Sequence, residues 1–193
     1  MSEVTTPKPE TEKPPVEIER AKPEDAETIC DIRDRAWLEA YPNAELGITE
    51  EDIRVNAQGM NGEFVPRRVA HLKEQSAKDD DAGIGIYVAK IDSKVVGYTD
   101  LQIDERGRKM ISAMYVEPEV QGTGVGGKLM HQALNVLGRD NDIYLEVISY
   151  NDKAIGFYEH YGFKRTNAIV PEEEGRPDYM TSLPQTEMIL PAK

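Results

Sequence analysis

The spacing of apolar residues changes period several times along this chain. VEIERA, residues 16–21, alternates apolar and polar positions as a half-buried strand does. Pro23 then stands at a first helical position, with Glu24 and Asp25 in the first turn, where the helix dipole favours acids. Ile29, Ala36 and Trp37 fall near helical spacing and give this helix an inner face that ends before Pro42. Thr49 and Asp52 predict the capped start of a second helix, and residues 66–76, carrying Val69 and Leu72, predict another. The run Asp79-Asp80-Asp81 reads as a solvated loop.

The period then shortens. IGIYVAKI (84–91) and KVVGYTDLQI (94–103) read as a hairpin closed by Asp92-Ser93. A turn over 104–108, containing Gly107, leads into KMISAMYV (109–116) as a third antiparallel strand. Beyond it the order becomes strand, glycine loop, helix, strand, helix. Residues 125–137 place Val125, Leu129, Ala133, Leu134 and Leu137 at helical spacing. IYLEV (143–147) is a short buried strand, 152–161 a helix, and FKRTNAI (163–169) another strand. A loop with Pro171, Pro177 and Pro184 precedes a last strand, TEMIL (186–190). The sum is an α/β chain with a mixed sheet and one parallel crossover near its middle.

Residues 1–15 do not fit this pattern. They carry Pro7, Pro9, Pro14 and Pro15, with only Met1 and Val4 to anchor them, and are predicted to be a disordered tail ahead of a single domain over 16–193. Composition narrows the partners. Lys plus Arg total 23 against 36 Asp plus Glu, a net charge of −13 that repels phosphate backbones, so nucleic acid is not an expected partner. The same field draws cations, small amines among them. No apolar run approaches the ~18–20 residues of a membrane helix, so no membrane partner is expected. Cys30 is the only cysteine, which leaves no intramolecular disulfide and suits a reducing compartment. The opening MSEVTTPKPETEKPP has acids and prolines where a secretion signal has a basic and then an apolar segment, so a cytoplasmic location is expected.

The most informative stretch is Gln121-Gly122-Thr123-Gly124-Val125-Gly126-Gly127-Lys128-Leu129. Glycines between a strand and a helix let the backbone approach a ligand, and the first helical N–H groups have no partner within the helix. With the dipole they form an anion site suited to a pyrophosphate. Gly122-x-Gly124-x-x-Gly127 fits a dinucleotide fingerprint, with Asp142 at the expected distance, but three antiparallel strands precede it where a βαβ unit should begin. Gly122-x-x-x-x-Gly127-Lys128 fits a P-loop until Leu129, where Ser or Thr should reach magnesium. A tight strand–helix connection without a ligand is the third reading.

Two longer patterns add to this loop. Val116-x-Pro118 followed by Gln121-x-x-Gly124-x-Gly126 resembles the acetyl-CoA pyrophosphate loop of the GNAT superfamily of N-acetyltransferases. Asn151-x-x-Ala154-x-x-Phe157-Tyr158-x-x-x-Gly162-Phe163 is similar to that superfamily's second signature, and Leu145-Glu146-Val147 lies between the two on a strand. The motif-bearing part covers residues 113–164. The resemblance implies a mixed, centrally splayed β-sheet flanked by helices. The pantetheine arm of acetyl-CoA would lie in the splay against backbone groups of Tyr115 and Val116. Its phosphates would lie on the loop of Gln121, Gly122, Thr123, Gly124, Val125, Gly126 and Gly127.

The resemblance also implies the chemistry. Tyr158 is expected to protonate the departing thiolate, which an ordinary phenol with a pKa of about 10 can do at neutral pH. On helical spacing Phe157 is then expected to point inward and Tyr158 toward the cleft. Leu145-Glu146-Val147 with Tyr158 resembles the ribosomal-protein N-terminal acetyltransferases, in which the matching glutamate is the base. A solvated or salt-bridged strand acid is the other reading of Glu146. Glu117, beside Pro118, is a second candidate base that reads as a solvated turn residue. Asn151 is expected both to cap its helix and to contact the cofactor arm. Trp37 and Tyr41 are candidates for the acceptor pocket, with core packing the stronger reading for Trp37. The expected reaction is direct transfer to a primary amine. A small-molecule amine is favoured by the negative charge, and a protein N-terminus or lysine by the Glu146–Tyr158 spacing. A non-catalytic acyl-CoA-binding module is a different class of outcome on the same scaffold, and relatives of this kind often form homodimers.

Overall fold

A computed structural model describes residues 15–77, 84–166 and 183–193, with side chains placed outside 55–64 and 75–77. Seven strands form one sheet in the order β1-β2-β3-β4-β5-β7-β6. They are β1 (Val16–Arg20), β2 (Gly85–Ile91), β3 (Lys94–Ile103), β4 (Lys109–Val116), β5 (Ile143–Ile148), β6 (Lys164–Arg165) and β7 (Gln185–Leu190). Every neighbouring pair is antiparallel except β4 with β5. The expected α/β fold with one parallel crossover is therefore the observed one.

The four helices are α1 (Ala26–Ala40), α2 (Glu50–Ala77), α3 (Val125–Leu137) and α4 (Asp152–His160). Local chemistry explains their ends. A short 3-10 turn over Pro23–Asp25 leads into α1. Thr49 and Asp52 form a reciprocal box at the start of α2: the Asp52 N–H donates to Thr49 Oγ1 at 3.1 Å and the Thr49 N–H to Asp52 Oδ2 at 2.9 Å. Asp92 and Ser93 both take positive φ, 49° and 65°, as the tight turn between β2 and β3 requires.

Two elements differ from the sequence reading. α2 is one helix of 28 residues with Pro66 inside it, where the pattern suggested two. An interior proline removes a single backbone hydrogen bond. Burial of Leu72, with Val69 packed alongside, against Ile29 and Ile32 of α1 offsets that loss. The strand expected over 163–169 is two residues long within the described part, and its residues 167–169 lie outside it. The predicted tail, apart from Pro15, and the acidic loop at 79–81 also lie outside the described residues.

The sheet separates two cores. Ile143, Leu145 and Val147 of β5 face one side, packed with Met130, Ala133 and Leu137 of α3 and with Ile155 of α4. Strand alternation turns Tyr144, Glu146 and Ile148 to the opposite face. There Ile148 packs with Trp37 of α1, Tyr41 at its C-cap and Ile53 of α2. Each fully buried Leu, Ile or Met contributes about 1.5–3 kcal/mol, so both helical layers are tied firmly to the sheet. Among the described residues, no helix is long and apolar enough to cross a membrane.

Candidate functional site

The site originates in a failure of strand pairing. β4 and β5 are in register at Lys109–Ile143, Met110–Tyr144 and Ile111–Leu145, and pair no further. Yet β4 runs on to Val116 and β5 to Ile148. The cause is visible on the other side of β4. Its pairing with β3 steps from Asp100–Ala113 to Leu101–Ile111, which leaves Ser112 as an extra, bulged residue. A bulge bends its strand and sharpens the local twist, so β4 turns away from β5 at the residue where their pairing ends. The result is a wedge through the sheet, opening into a cavity of about 1130 Å³.

The backbone along the wedge is oriented by the same ladder. The Tyr115 carbonyl lies 2.9 Å from where a Cβ on Gly97 of β3 would stand, so Tyr115 turns its backbone groups toward β3. By alternation, Met114 and Val116 face the wedge. Tyr115 contributes its side chain instead: its hydroxyl accepts from Trp37 Nε1 at 2.9 Å and lies 3.3 Å from the Tyr41 hydroxyl. Met114 was missed in sequence, although alternation along β4 is a signal that could have found it once the register was known.

At the wide end of the wedge lies the glycine loop. Gly122 and Gly124 hold φ of 75° and 99°, and a Cβ at either would meet nothing within 4 Å. The glycines are therefore demanded by backbone conformation, and the space in front of them is open for a ligand. Gly124 is the N-cap of α3, so the unpaired N–H groups of the first helical turn point into the same opening. Gly127 serves packing, because a Cβ there would stand 3.0 Å from the hydroxyl of Tyr161, which caps the C-terminus of α4. Gln121 and the four loop glycines line the cavity. Thr123 and Val125 do not: the Thr123 hydroxyl donates to the Val120 carbonyl at 2.7 Å, and Val125 is fully buried in the core. Gln121 spans the mouth, donating from Nε2 to the Val116 carbonyl at 3.2 Å and accepting from Lys153 on α4.

α4 begins on the far side of the cavity. Asn151 caps it, accepting from the Ala154 N–H at 3.1 Å, and also lines the cavity. Tyr158 is 9% exposed and lines it too. Among the described residues its hydroxyl makes no hydrogen bond. Burial, with a smaller push from Tyr115, raises the phenol well above its ordinary pKa. The two adjacent aromatics are less divided than helical spacing suggested: Phe157 also lines the cavity and is the less buried of the pair. Glu146 enters from the opposite face of the sheet and lines the cavity as well. The wedge thus joins a carboxylate from one face to a phenol from the other.

Glu117 does not behave as a solvated turn residue. It is 3% exposed and paired with Arg35 of α1 and, at 3.7 Å, with Lys94 of β3. It lies at the exit of β4, outside the cavity lining, so its carboxylate ties the strand end to α1. Trp37 and Tyr41 are both buried core residues and both line the cavity, as do Tyr98 and Tyr150. Tyr87 does not; it packs in the core. Two further charged residues in the lining, Arg68 and Asp100, were invisible to sequence reasoning, since nothing local signals a pair 32 residues apart. Among the described residues, no cluster of three or more His, Cys, Asp or Glu side chains is arranged to hold a metal ion.

The family model described as "Acetyltransferase (GNAT) family" matches residues 26–163. The peptidyl-lysine N-acetyltransferase YjaB of Escherichia coli K12 is 33% identical over 67 residues, which cover 35% of this chain and 44% of YjaB. YiaC of the same organism, also named a peptidyl-lysine N-acetyltransferase, is 29% identical over 103 residues, 53% of this chain and 66% of YiaC. The match thus spans less than half of YjaB. Among solved structures, the PaiA N-acetyltransferase of Thermoplasma acidophilum, in complex with coenzyme A, superposes with a TM-score of 0.68 at 21% identity, covering 93% of this chain and 99% of that one. YncA of Salmonella typhimurium, a putative acetyltransferase with its cofactor acetyl-CoA, gives 0.62 at 22% identity, over 92% and 94% of the two chains. These two likenesses establish a shared fold.

Proposed function

Because the chain belongs to the GNAT acetyltransferase family, we propose that it transfers the acetyl group of acetyl-CoA to a primary amine by direct attack, both substrates bound together. The observation that carries this reading is the wedge. It offers backbone groups of Met114 and Val116 that β5 leaves unpaired, with Gln121 bonded to the Val116 carbonyl, beside a donor-rich loop with open space at Gly122 and Gly124. That set fits a long arm bearing a pyrophosphate: phosphates on the loop N–H groups, the arm along β4, Asn151 beside it. Acetyl-CoA supplies the activated acyl group, and the chain's residues supply the rest.

Glu146 accepts the proton that the ammonium must lose before its nitrogen can attack. A backbone N–H near Val116, fixed in direction by the strand, stabilises negative charge on the carbonyl oxygen with little reorganisation. Tyr158 gives its proton to the sulfur as the C–S bond breaks and the C–N bond forms. The balance is an amide, free CoA and one proton to solvent. Burial disfavours the phenolate and so keeps the Tyr158 phenol protonated. The proton it gives to sulfur is replaced by the second proton that the nitrogen sheds on becoming an amide, so no buried anion is left behind. Cys30 is buried in α1, its thiol pushed up by burial, and it does not line the cavity, which supports direct transfer over an acyl-cysteine.

A small-molecule amine is the acceptor favoured by the net charge of −13. A peptide lysine is the second reading, favoured by the similarity to YjaB and YiaC. A cytoplasmic location suits a single buried thiol. Thermal shifts with acetyl-CoA, CoA, ATP and NAD test the donor, followed by thiol release with an amine library. Stabilisation by ATP or NAD and not by CoA overturns the reading. Stabilisation by acetyl-CoA without thiol release against any amine leaves a binding module in place of an enzyme.

A further inference from the structure

We propose that the acceptor is a small amino acid, carrying its amine and a carboxylate on one molecule, and that Arg68 is the residue that holds the carboxylate. The inference rests on the acetyl-transfer reading above and narrows its acceptor. A chain of net charge −13 would be expected to present carboxylates alone to a cationic amine. Its cavity does not. On the face covered by α1 and α2, the charged side chains in the lining are Arg33, Glu39, Arg68, Asp100 and Glu146, two basic and three acidic.

Their placement is specific. Asp100 pairs across β3–β4 with Ala113, one residue beyond the bulge at which β4 leaves β5, so it stands beside the apex of the wedge. It is 3% exposed. Arg68 reaches it from α2, Nη1 to Oδ2 at 2.9 Å, and Gln102 Nε2 lies 3.3 Å from Oδ1. Among the described residues that is the one hydrogen bond made by the Arg68 guanidinium, a planar fork with five N–H donors. Asp100 thus fixes one prong of the fork, while the side chain as a whole borders the cavity and stays 18% exposed to it. A guanidinium held this way is preorganised to take a carboxylate through its other donors.

Arg33 adds to the positive side. It pairs with Asp34 at 2.6 Å and lies over the Trp37 ring at 5.1 Å. Arg33, Arg68 and Tyr98 all line the cavity. Glu146 lies across the wedge, on β5. An amine directed to Glu146 and a carboxylate directed to Arg68 satisfy both ends. The second positive charge of a polyamine would meet arginines at that end, with their carboxylate partners Asp34 and Asp100 already engaged. The bond exchange is unchanged: the amine nitrogen gains the acetyl carbon, sulfur leaves and is protonated, the amine's proton passes to Glu146, and the carboxylate takes no part.

The test uses the full chain, acetyl-CoA, and acceptor pairs that differ in the carboxylate: L-lysine and cadaverine, L-phenylalanine and phenethylamine, L-methionine and L-methioninamide. The remaining common amino acids, spermidine and a lysine-containing peptide complete the panel. For at least one pair, kcat/KM is expected to be tenfold or more higher for the carboxylate-bearing member. Arg68→Gln should abolish that difference while leaving the KM for acetyl-CoA in place, and Arg68→Lys should restore part of it. Independently of turnover, the preferred amino acid should raise the Tm of the CoA complex of the wild type and not of Arg68→Gln. Equal or faster reaction of the carboxylate-free partners, spermidine or the peptide overturns the inference while acetyl transfer stands. So does acetyl-CoA binding with no amino acid either turned over or stabilising. Failure to bind acetyl-CoA at all defeats the underlying reading instead.

Discussion

Replacing Tyr158 with phenylalanine isolates one atom of the proposed chemistry. The ring is held by aromatic neighbours, with centroids 5.5 Å from Phe157 and 5.8 Å from Phe163, and phenylalanine keeps those contacts. Among the described residues the hydroxyl makes no hydrogen bond, so its removal orphans no partner. The change in folding stability should therefore be small, since the ring packing is kept and no unsatisfied group is created. Activity should respond very differently. Loss of a general acid costs about 10²–10⁴-fold, which at 1.36 kcal/mol per tenfold is about 2.7–5.4 kcal/mol of barrier. The assay is thiol release at saturating acetyl-CoA and acceptor, with the Tm of each protein measured in parallel. kcat should fall by that factor with the KM for acetyl-CoA nearly unchanged. A kcat within about threefold of wild type would refute the acid role. A fall in kcat matched by a large fall in Tm would mean that the ring packing had been misread.

Three other outcomes follow from the same structure. Glu146→Gln should depress kcat/KM most at pH values where the acceptor amine is protonated, and a pH–rate profile that overlays the wild type would transfer the base role to another group. Glu117→Gln removes a buried carboxylate from between Arg35 and Lys94; breaking such an arrangement costs about 3–5 kcal/mol, discounted here because both cations are partly exposed, so a Tm loss of several degrees is expected, and an unchanged Tm would contradict the clasp. Burial raises the phenols of Tyr41, Tyr98 and Tyr158 above the ordinary value. The unfolded chain therefore releases these protons near pH 10 while the native one keeps them, so stability falls as pH rises beyond about 10. Phenolate absorbance should then appear together with unfolding, and full titration of all nine tyrosines in a still-folded chain would contradict the burial.

Local pattern carried the elements, and long-range pairing carried the site. α3 was legible to the residue because Val125, Leu129, Ala133 and Leu137 mark a periodic buried face with glycines at both ends. The hairpin of β2 and β3 was legible from two polar turn residues between β-rich runs. Asn151 was legible as a cap because capping is a matter of three residues. α2 was misread because Pro66 carries a strong local signal that packing against α1 overrides. Glu117 was misread because its partner Arg35 is 82 residues away, and no local rule distinguishes a solvated acid from a buried one that distant cations hold. The wedge itself was an expectation from resemblance alone, since the bulge at Ser112 that creates it exists only in the register between two strands.

The central claim is that acetyl-CoA enters where β4 and β5 part. A crystal structure of the chain with CoA tests it most directly. The account predicts the pantetheine arm between the Met114–Val116 backbone and β5, with the pyrophosphate over the N–H groups between Gly122 and Gly127. Electron density for CoA elsewhere on the molecule, or a wedge closed by renewed β4–β5 pairing beyond Ile111 and Leu145, would contradict it.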